Sequence, residues 1–226
     1  MKIVIDGNIG SGKTTQLDLL EKAGWSVRRE PIDKWPLDQF YRDQRTWGYI
    51  LQMAVLETQQ PVPNAKRPII YERCLFSTRD VFWRHLAEKV YPEKCIDELY
   101  QKQVERYMWY PDIYIYLSKD PEKAFEHVSK RGQAGDFGVD LEYIKELDVF
   151  YKDMIMKIPC RVRVVNANKS REEIHADILR ILSSVPCSKD EPVYERDSRG
   201  AKVSSRRNSR DGKVQCTPMS DMCRMS

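Results

Sequence analysis

"KIVIDGNIGSGKTT", residues 2–15, sets a short apolar run directly against a glycine-rich turn. Gly7, Gly12, Lys13 and Thr14 satisfy the spacing G-x-x-x-x-G-K-[ST]. A strand, a glycine turn and a helix make an anion site, because the helix start offers unpaired N–H groups and the positive end of its dipole. The candidates for holding nucleotide phosphate are therefore Gly7, Asn8, Ile9, Gly10, Ser11, Gly12, Lys13, Thr14 and Thr15. In this role the glycines let the backbone curl closely around phosphate oxygens. Lys13 reaches the terminal phosphates and the Thr14 hydroxyl ligates Mg²⁺. The loop says that a phosphate is held. It does not say whether the phosphate passes to water, to a protein or to a small molecule.

Working outward, the spacing predicts helix and strand in alternation. A helix starts at Lys13, and "WSVRREP" reads as a strand ended by Pro31. Residues 36–60 have apolar spacing suited to one helix, and "PVPNAKRP" breaks it. "IIYER" is a buried strand running into charge. Helices are predicted at 77–90 and 94–109, then "DIYIYL" as a strand rich in β-branched and aromatic residues. Pro121 opens another helix, "RGQAGDFG" is a loop, and a helix begins near Asp140. "RVRVVNA" is the last strand, and Ser170 with Glu173 makes a capping box for the final helix. Five strands alternating with helices imply an α/β fold, a parallel sheet covered on both faces. Such sheets bind ligands beyond the carboxyl ends of their strands. Chemistry is thus expected at Gly7, Glu30, Glu72-Arg73 and after Leu117.

Composition bounds the class. The chain has 226 residues, enough for one domain with a good core, and a net charge of +4. From Cys187 onward there are nine Lys and Arg against six Asp and Glu, so the remainder is close to neutral. No basic face for nucleic acid is implied, and no apolar run approaches a membrane span. Lys2 and the immediate strand argue against a signal peptide. The six cysteines contain no C-x-x-C pair and read as reduced thiols of a cytoplasmic protein. Residues 1–184 are expected to form the domain. Residues 187–226, rich in Ser, Arg and Lys, are expected to be a disordered charged tail. The patch "SSRRNSR" leaves nuclear targeting open, with a solvated tail the simpler reading.

The destination of the phosphate is read at the next strand ends. Pro31 holds Glu30 out of helical geometry, so its carboxylate projects from the end of its strand. A carboxylate near a terminal phosphate repels it unless it accepts the proton of an attacking hydroxyl. Arg73 can orient Glu30 and offset charge on the reacting oxygens. Glu72 can bind Mg²⁺, directly or through water.

"GNIGSGKT", "EPIDKW" and "ERC" resemble the P-loop, E-P-x-x-x-W and E-R-S motifs of the cellular and viral deoxynucleoside kinases. "YRDQRTWGYILQ", "PDIYIYL", the loop after Lys130 and "LEYIKEL" fit the same family in order, from Met1 to about Leu182. The resemblance implies a P-loop kinase with a five-stranded parallel sheet, flanking helices and a small lid loop. It implies ATP as donor, Mg²⁺, and a 2′-deoxynucleoside whose 5′-hydroxyl is phosphorylated for nucleotide salvage. It also suggests a homodimer. Glu30 becomes the general base with Arg73 beside it, and Lys13 and the lid residue Arg131 clamp the transferred phosphate. Gln52 holds the base edge in two places and Phe82 supplies an aromatic face. Ile9, Trp35, Leu37, Phe40, Leu51 and Val55 form apolar walls, and Tyr41 and Asp136 hold the 3′-hydroxyl.

Several positions depart from the family pattern. The lid reads Arg131-Gly132-Gln133 in place of Arg-x-Arg, His127 stands where a further basic residue is common, and Cys74 replaces Ser. Asp136 stands where a Glu usually holds the 3′-hydroxyl. At the base, Gln59 and Thr78 match neither the Arg and Asp of the deoxycytidine and deoxyguanosine enzymes nor the small or apolar residues of the thymidine-accepting enzymes. Val55 resembles the multisubstrate pattern, which points to pyrimidines, thymidine and deoxycytidine. Two other readings compete. Thymidylate kinase shares the loop and "REP", but its acceptor is already anionic and needs no carboxylate base. A non-catalytic P-loop subunit fits the altered lid but not intact Lys13, Thr14, Glu30 and Arg73. A GTPase is disfavoured by the lack of an N-K-x-D motif.

Overall fold

The computed structural model describes residues 1–132 and 138–184, together with the backbone of two short strands, Tyr194–Arg196 and Lys202–Ser204. Met1–Ser184 forms one compact unit. The five strands are β1 (Lys2–Asp6), β2 (Ser26–Arg28), β3 (Ile69–Glu72), β4 (Ile113–Ser118) and β5 (Arg161–Asn166). They pair in the order β2-β3-β1-β4-β5, all parallel. The two central strands, β1 and β4, are almost wholly buried, as their runs of Ile, Val and Tyr require of strands covered on both faces. Register places Ile5 beside Glu72 and Asp6 beside Tyr116. The carboxyl end of β3 therefore stands next to the start of the glycine turn.

The helices are α1 (Lys13–Lys22), α2 (Leu37–Arg42), α3 (Gln44–Thr58), α4 (Leu75–Ser77), α5 (Arg84–Lys89), α6 (Lys94–Tyr107), α7 (Pro121–Arg131), α8 (Leu141–Ile155) and α9 (Arg171–Ser183). The single helix expected over 36–60 is two. Asp43 leaves helical geometry, and its carboxylate accepts from the Thr46 amide at 3.1 Å, capping α3 and ending α2. The helix expected at 77–90 starts earlier and is not regular, because Thr78–Trp83 winds as a π-helix between α4 and α5. Such wide turns recur at functional sites. Here the turn carries Thr78 and Phe82. The capping box of Ser170 and Glu173 is present at α9.

Most aromatic side chains pack the core. Trp83 lies stacked on Tyr100 at 3.9 Å, and its indole N–H donates to Asp97 at 2.7 Å. Tyr116 stacks on Tyr151 at 5.6 Å. Gln133 and Asp136, and with them most of the expected lid, lie outside the described residues. So does the expected tail at 187–226, apart from β6 (Tyr194–Arg196) and β7 (Lys202–Ser204), an antiparallel pair. No helix among the described residues is long and apolar enough to cross a membrane.

The glycine turn is held against α7 at one residue. Gly10 has φ of 76°, and a Cβ there would stand 2.2 Å from the carbonyl oxygen of Ala124. Gly10→Ala is expected to destabilise the protein by about 2 kcal/mol or more through backbone strain alone. That corresponds to a thermal midpoint lowered by about 4 °C or more. An unchanged midpoint would show that the turn can move away from α7 at no cost.

Candidate active site

The ends of β1, β2 and β3 open into one cleft of about 430 Å³. Its floor is the phosphate loop, with Ile9, Gly10, Lys13 and Thr14. Trp35, Leu37, Phe40 and Tyr41 approach from α2 and the turn before it, and Leu51, Gln52 and Val55 from α3. Thr78 and Phe82 come from the π-helical turn, and Arg131 from the end of α7. The charged end holds Glu30, Glu72 and Arg73. The residues expected at the nucleoside thus line this cleft, save Gln59, which the structure places elsewhere, and Asp136, which lies outside the described residues. Of the loop, Gly7, Asn8, Ser11, Gly12 and Thr15 do not line it. Asn8 is turned inward, its side-chain amide donating to the Ile144 carbonyl at 2.8 Å.

The acid end is a buried charge network. Arg73 Nη1 donates to Glu30 Oε2, with the two side chains only 11% and 8% exposed. Arg73 Nε also faces the Tyr151 hydroxyl at 3.3 Å and Asp6 Oδ1 at 3.5 Å. Asp6 is fully buried and accepts from the Tyr114 hydroxyl at 2.6 Å, the Tyr151 hydroxyl at 3.0 Å and the Gly7 amide at 2.7 Å. One carboxylate therefore ties the guanidinium to the first residue of the phosphate loop. The Arg73 backbone has φ of 58°, a left-handed conformation uncommon outside glycine. The guanidinium also lies 5.1 Å from the Phe82 ring centre.

Burial shifts the proton affinities. Loss of water pushes the Glu30 carboxyl up to about 7, with Glu72 and Asp6 adding repulsion and Arg73 and Lys13 opposing it. Loss of water likewise brings the Lys13 ammonium down to about 7, aided by Arg73 and resisted by the three acids. Lys13 Nζ rests on the carbonyls of Gly7 and Asn8, both at 2.9 Å, the oxygens of its own loop. Thr14 and Glu72 line the cleft with a hydroxyl and a carboxylate, hard oxygen donors of the kind Mg²⁺ takes alongside phosphate oxygens. Among the described residues no cluster of three His, Cys, Asp or Glu stands ready to hold a metal.

Gln59, expected at the base, is placed differently. It does not line the cleft but lies behind it, donating from Nε2 to Glu30 Oε1 at 2.7 Å and accepting at Oε1 from the Thr78 hydroxyl at 2.8 Å. The α3 helix ends at Thr58, so the position-59 side chain leaves the helical face and turns toward the acid. Sequence reading also missed Asp6, Tyr143, Tyr151, Leu86 and Val139. Only Asp6 carried a signal, as an acid at a strand end adjoining Gly7.

A model of the deoxynucleoside kinase family matches residues 3–186. A putative kinase, 029R, of invertebrate iridescent virus 3 is 32% identical over 186 residues, covering 80% of this chain and 95% of the viral protein. The deoxyadenosine kinase of Dictyostelium discoideum is 30% identical over 179 residues, 74% of this chain and 72% of that protein. Among solved structures, deoxyadenosine kinase from M. mycoides with bound dCTP superposes with a TM-score of 0.73 at 23% identity, covering 82% of this chain and all of that one.

The raised Glu30 carboxyl makes a signed prediction for stability. Between its ordinary 4.5 and about 7, the folded chain keeps a proton that the unfolded chain has released. Stability from this group is whole below that window and is lost as pH rises through it. Measured by denaturant unfolding, wild type should lose on the order of 3 kcal/mol across the window relative to Glu30→Gln, which cannot titrate. A gap that stays level or moves the other way would mean the carboxyl is not raised.

Proposed function

The chain belongs to the deoxynucleoside kinase family, and we propose that it moves the γ-phosphate of ATP to the 5′-hydroxyl of a pyrimidine 2′-deoxynucleoside, thymidine or deoxycytidine. The observation that carries this reading is the Glu30 carboxylate, held by Arg73 at the mouth of the phosphate loop inside an otherwise largely apolar cleft. A neutral sugar alcohol needs such a base; an incoming monophosphate does not, and would meet Glu30 and Glu72 as like charges.

In the proposed reaction Glu30 takes the proton of the 5′-hydroxyl as that oxygen bonds to the γ-phosphorus. The bond from the γ-phosphorus to the β,γ-bridging oxygen breaks, and ADP leaves. Lys13 exchanges the loop carbonyls for β- and γ-phosphate oxygens, and Arg131 closes over the transferred group. Thr14 and Glu72 would hold Mg²⁺, which when bound offsets charge on the phosphates. Little covalent work falls to the side chains; positioning and electrostatics supply most of the rate.

For the base, Gln52 supports the pyrimidine reading. It is 4% exposed, and the Tyr100 hydroxyl reaches its Oε1 only at 3.4 Å. A weakly tied amide can turn over. It can then present a donor and an acceptor in either order, as thymine and cytosine edges demand in turn. Phe82 and Trp35 flank the space, Trp35 fixed by its N–H to Thr58 Oγ1 at 2.9 Å. We also read the protein as a homodimer, on family resemblance.

The test is a panel of the four deoxynucleosides and thymidine monophosphate with ATP and Mg²⁺, read as product formed. Thymidine and deoxycytidine are expected to turn over fastest. Turnover of the monophosphate alone would refute the nucleoside reading, and a purine preference would refute the pyrimidine one. Glu30→Ala is expected to lower kcat by roughly 10²–10⁴-fold while nucleoside binding persists. A defect confined to binding would remove Glu30 from the proton transfer.

A further inference from the structure

Glu30 is held on both of its oxygens. Arg73 takes Oε2, and the Gln59 amide takes Oε1 at 2.7 Å. Gln59 is itself anchored at its backbone, its N–H on the Val55 carbonyl at 2.9 Å and its carbonyl accepting from the Trp109 indole at 2.8 Å. Its side chain and that of Thr78 are buried. The polarity of this chain of bonds is fixed when Glu30 is ionised. An ionised carboxylate only accepts, so the Gln59 amide must turn its NH₂ to Glu30 and its oxygen to Thr78. The Thr78 hydroxyl then spends its hydrogen on Gln59 Oε1, 2.8 Å away, and presents no donor to the cleft. The terminal torsion of a glutamate is normally broad and two-fold. Clamped between a guanidinium on one side and an amide on the other, this one is not.

We propose that Gln59, backed by Thr78, is a positioning residue for the phosphoryl transfer. It fixes the plane of the Glu30 carboxylate so that a free lone pair faces the sugar hydroxyl. The inference rests on the reading of Glu30 as the base. It accounts for a glutamine that faces away from the ligand cleft yet is hydrogen-bonded at both ends of its amide. Thr78 then serves two purposes, as part of the cleft wall and as the outer end of the clamp.

A structural glutamine and a positioning one differ in what their loss moves. The charged groups facing Glu30 are Arg73 and Glu72 at the end of β3, Lys13 from α1 and Asp6 from β1. None is altered by substitutions at 59 or 78, so a fall in kcat with KM held reports the lost amide bond to the carboxylate and not a lost ionic partner.

The experiment compares full-length wild type with Gln59→Met, Thr78→Val and Thr78→Ser, with folding followed by thermal unfolding. Substrate is the best deoxynucleoside of the panel, with ATP and Mg²⁺. Gln59→Met should lower kcat at neutral pH by about tenfold or more, the scale of a hydrogen bond to a charged group. The nucleoside KM should stay near that of wild type. Thr78→Val should lower kcat by less, and Thr78→Ser should recover most of that loss. An unchanged kcat in Gln59→Met, or a loss confined to KM, overturns the proposal. If Gln59→Met does not fold, the Thr78 pair decides it, and equal kcat for Val and Ser overturns it. Inactive wild type removes the base reading and this inference together; active wild type with unaffected variants removes this inference alone.

Discussion

The site depends on a carboxylate kept out of water. Glu30 sits among Glu72 and Asp6, and burial alone would leave it protonated well above the ordinary carboxylate range. Arg73 opposes that shift. A buried guanidinium beside Glu30 and within reach of Asp6 brings the carboxyl back toward neutrality, where a base, as proposed, is most effective. The interaction is weak evidence for stability, since desolvating both partners costs about what their attraction returns. On the proposed reading its value is in placing a proton acceptor whose affinity burial has raised to about 7.

The fold delivers that arrangement through strand ends. Parallel register brings Glu72 beside Ile5, one residue before Asp6 and two before the glycine turn. Asp6 then spans the gap, accepting from Gly7 on one side and facing Arg73 on the other. Arg73 leaves β3 in a left-handed conformation, with its amide still donating to the Ile5 carbonyl at 3.0 Å. A right-handed or extended residue there would send the guanidinium elsewhere. Strain of this kind persists only where the surroundings over-determine it, and here four hydrogen-bonding or ionic partners do so.

Much of this was legible in the sequence, for reasons that differ by element. The phosphate loop was readable because its spacing is local and its chemistry is backbone chemistry. Glu30, Glu72 and Arg73 were readable because a parallel sheet gathers its ligands at strand ends, and strand ends could be located from Pro31 and from the charge after "IIY". The break at Asp43 was not read, although Asp followed three residues later by a free amide is an ordinary cap; the apolar spacing across 36–60 outweighed it. The π-helical turn at Thr78–Trp83 has no local signature, since it arises from how the segment packs between α3 and α8. Gln59 was placed at the base by position in the chain. Its true direction depends on where α3 ends, and a boundary uncertain by one residue turns a side chain by a quarter of a circle.

The same network bears on the charge the proposed reaction would require. Counting formal charges, Asp6, Glu30 and Glu72 stand against Lys13 and Arg73, leaving these five groups with one excess negative charge. On the proposed reading a bound triphosphate would add several more. Lys13 would be held charged by the phosphates, but the same anion would push Glu30 toward its protonated form. A base so placed would need cations that arrive with the phosphate. Arg131 at the end of α7 lines the cleft, and Mg²⁺ between Thr14 and Glu72 would add a second such charge. Where the family's lid carries two arginines, Gln133 brings none. On the proposed reading more of the neutralisation would then fall to Arg131 and to the metal.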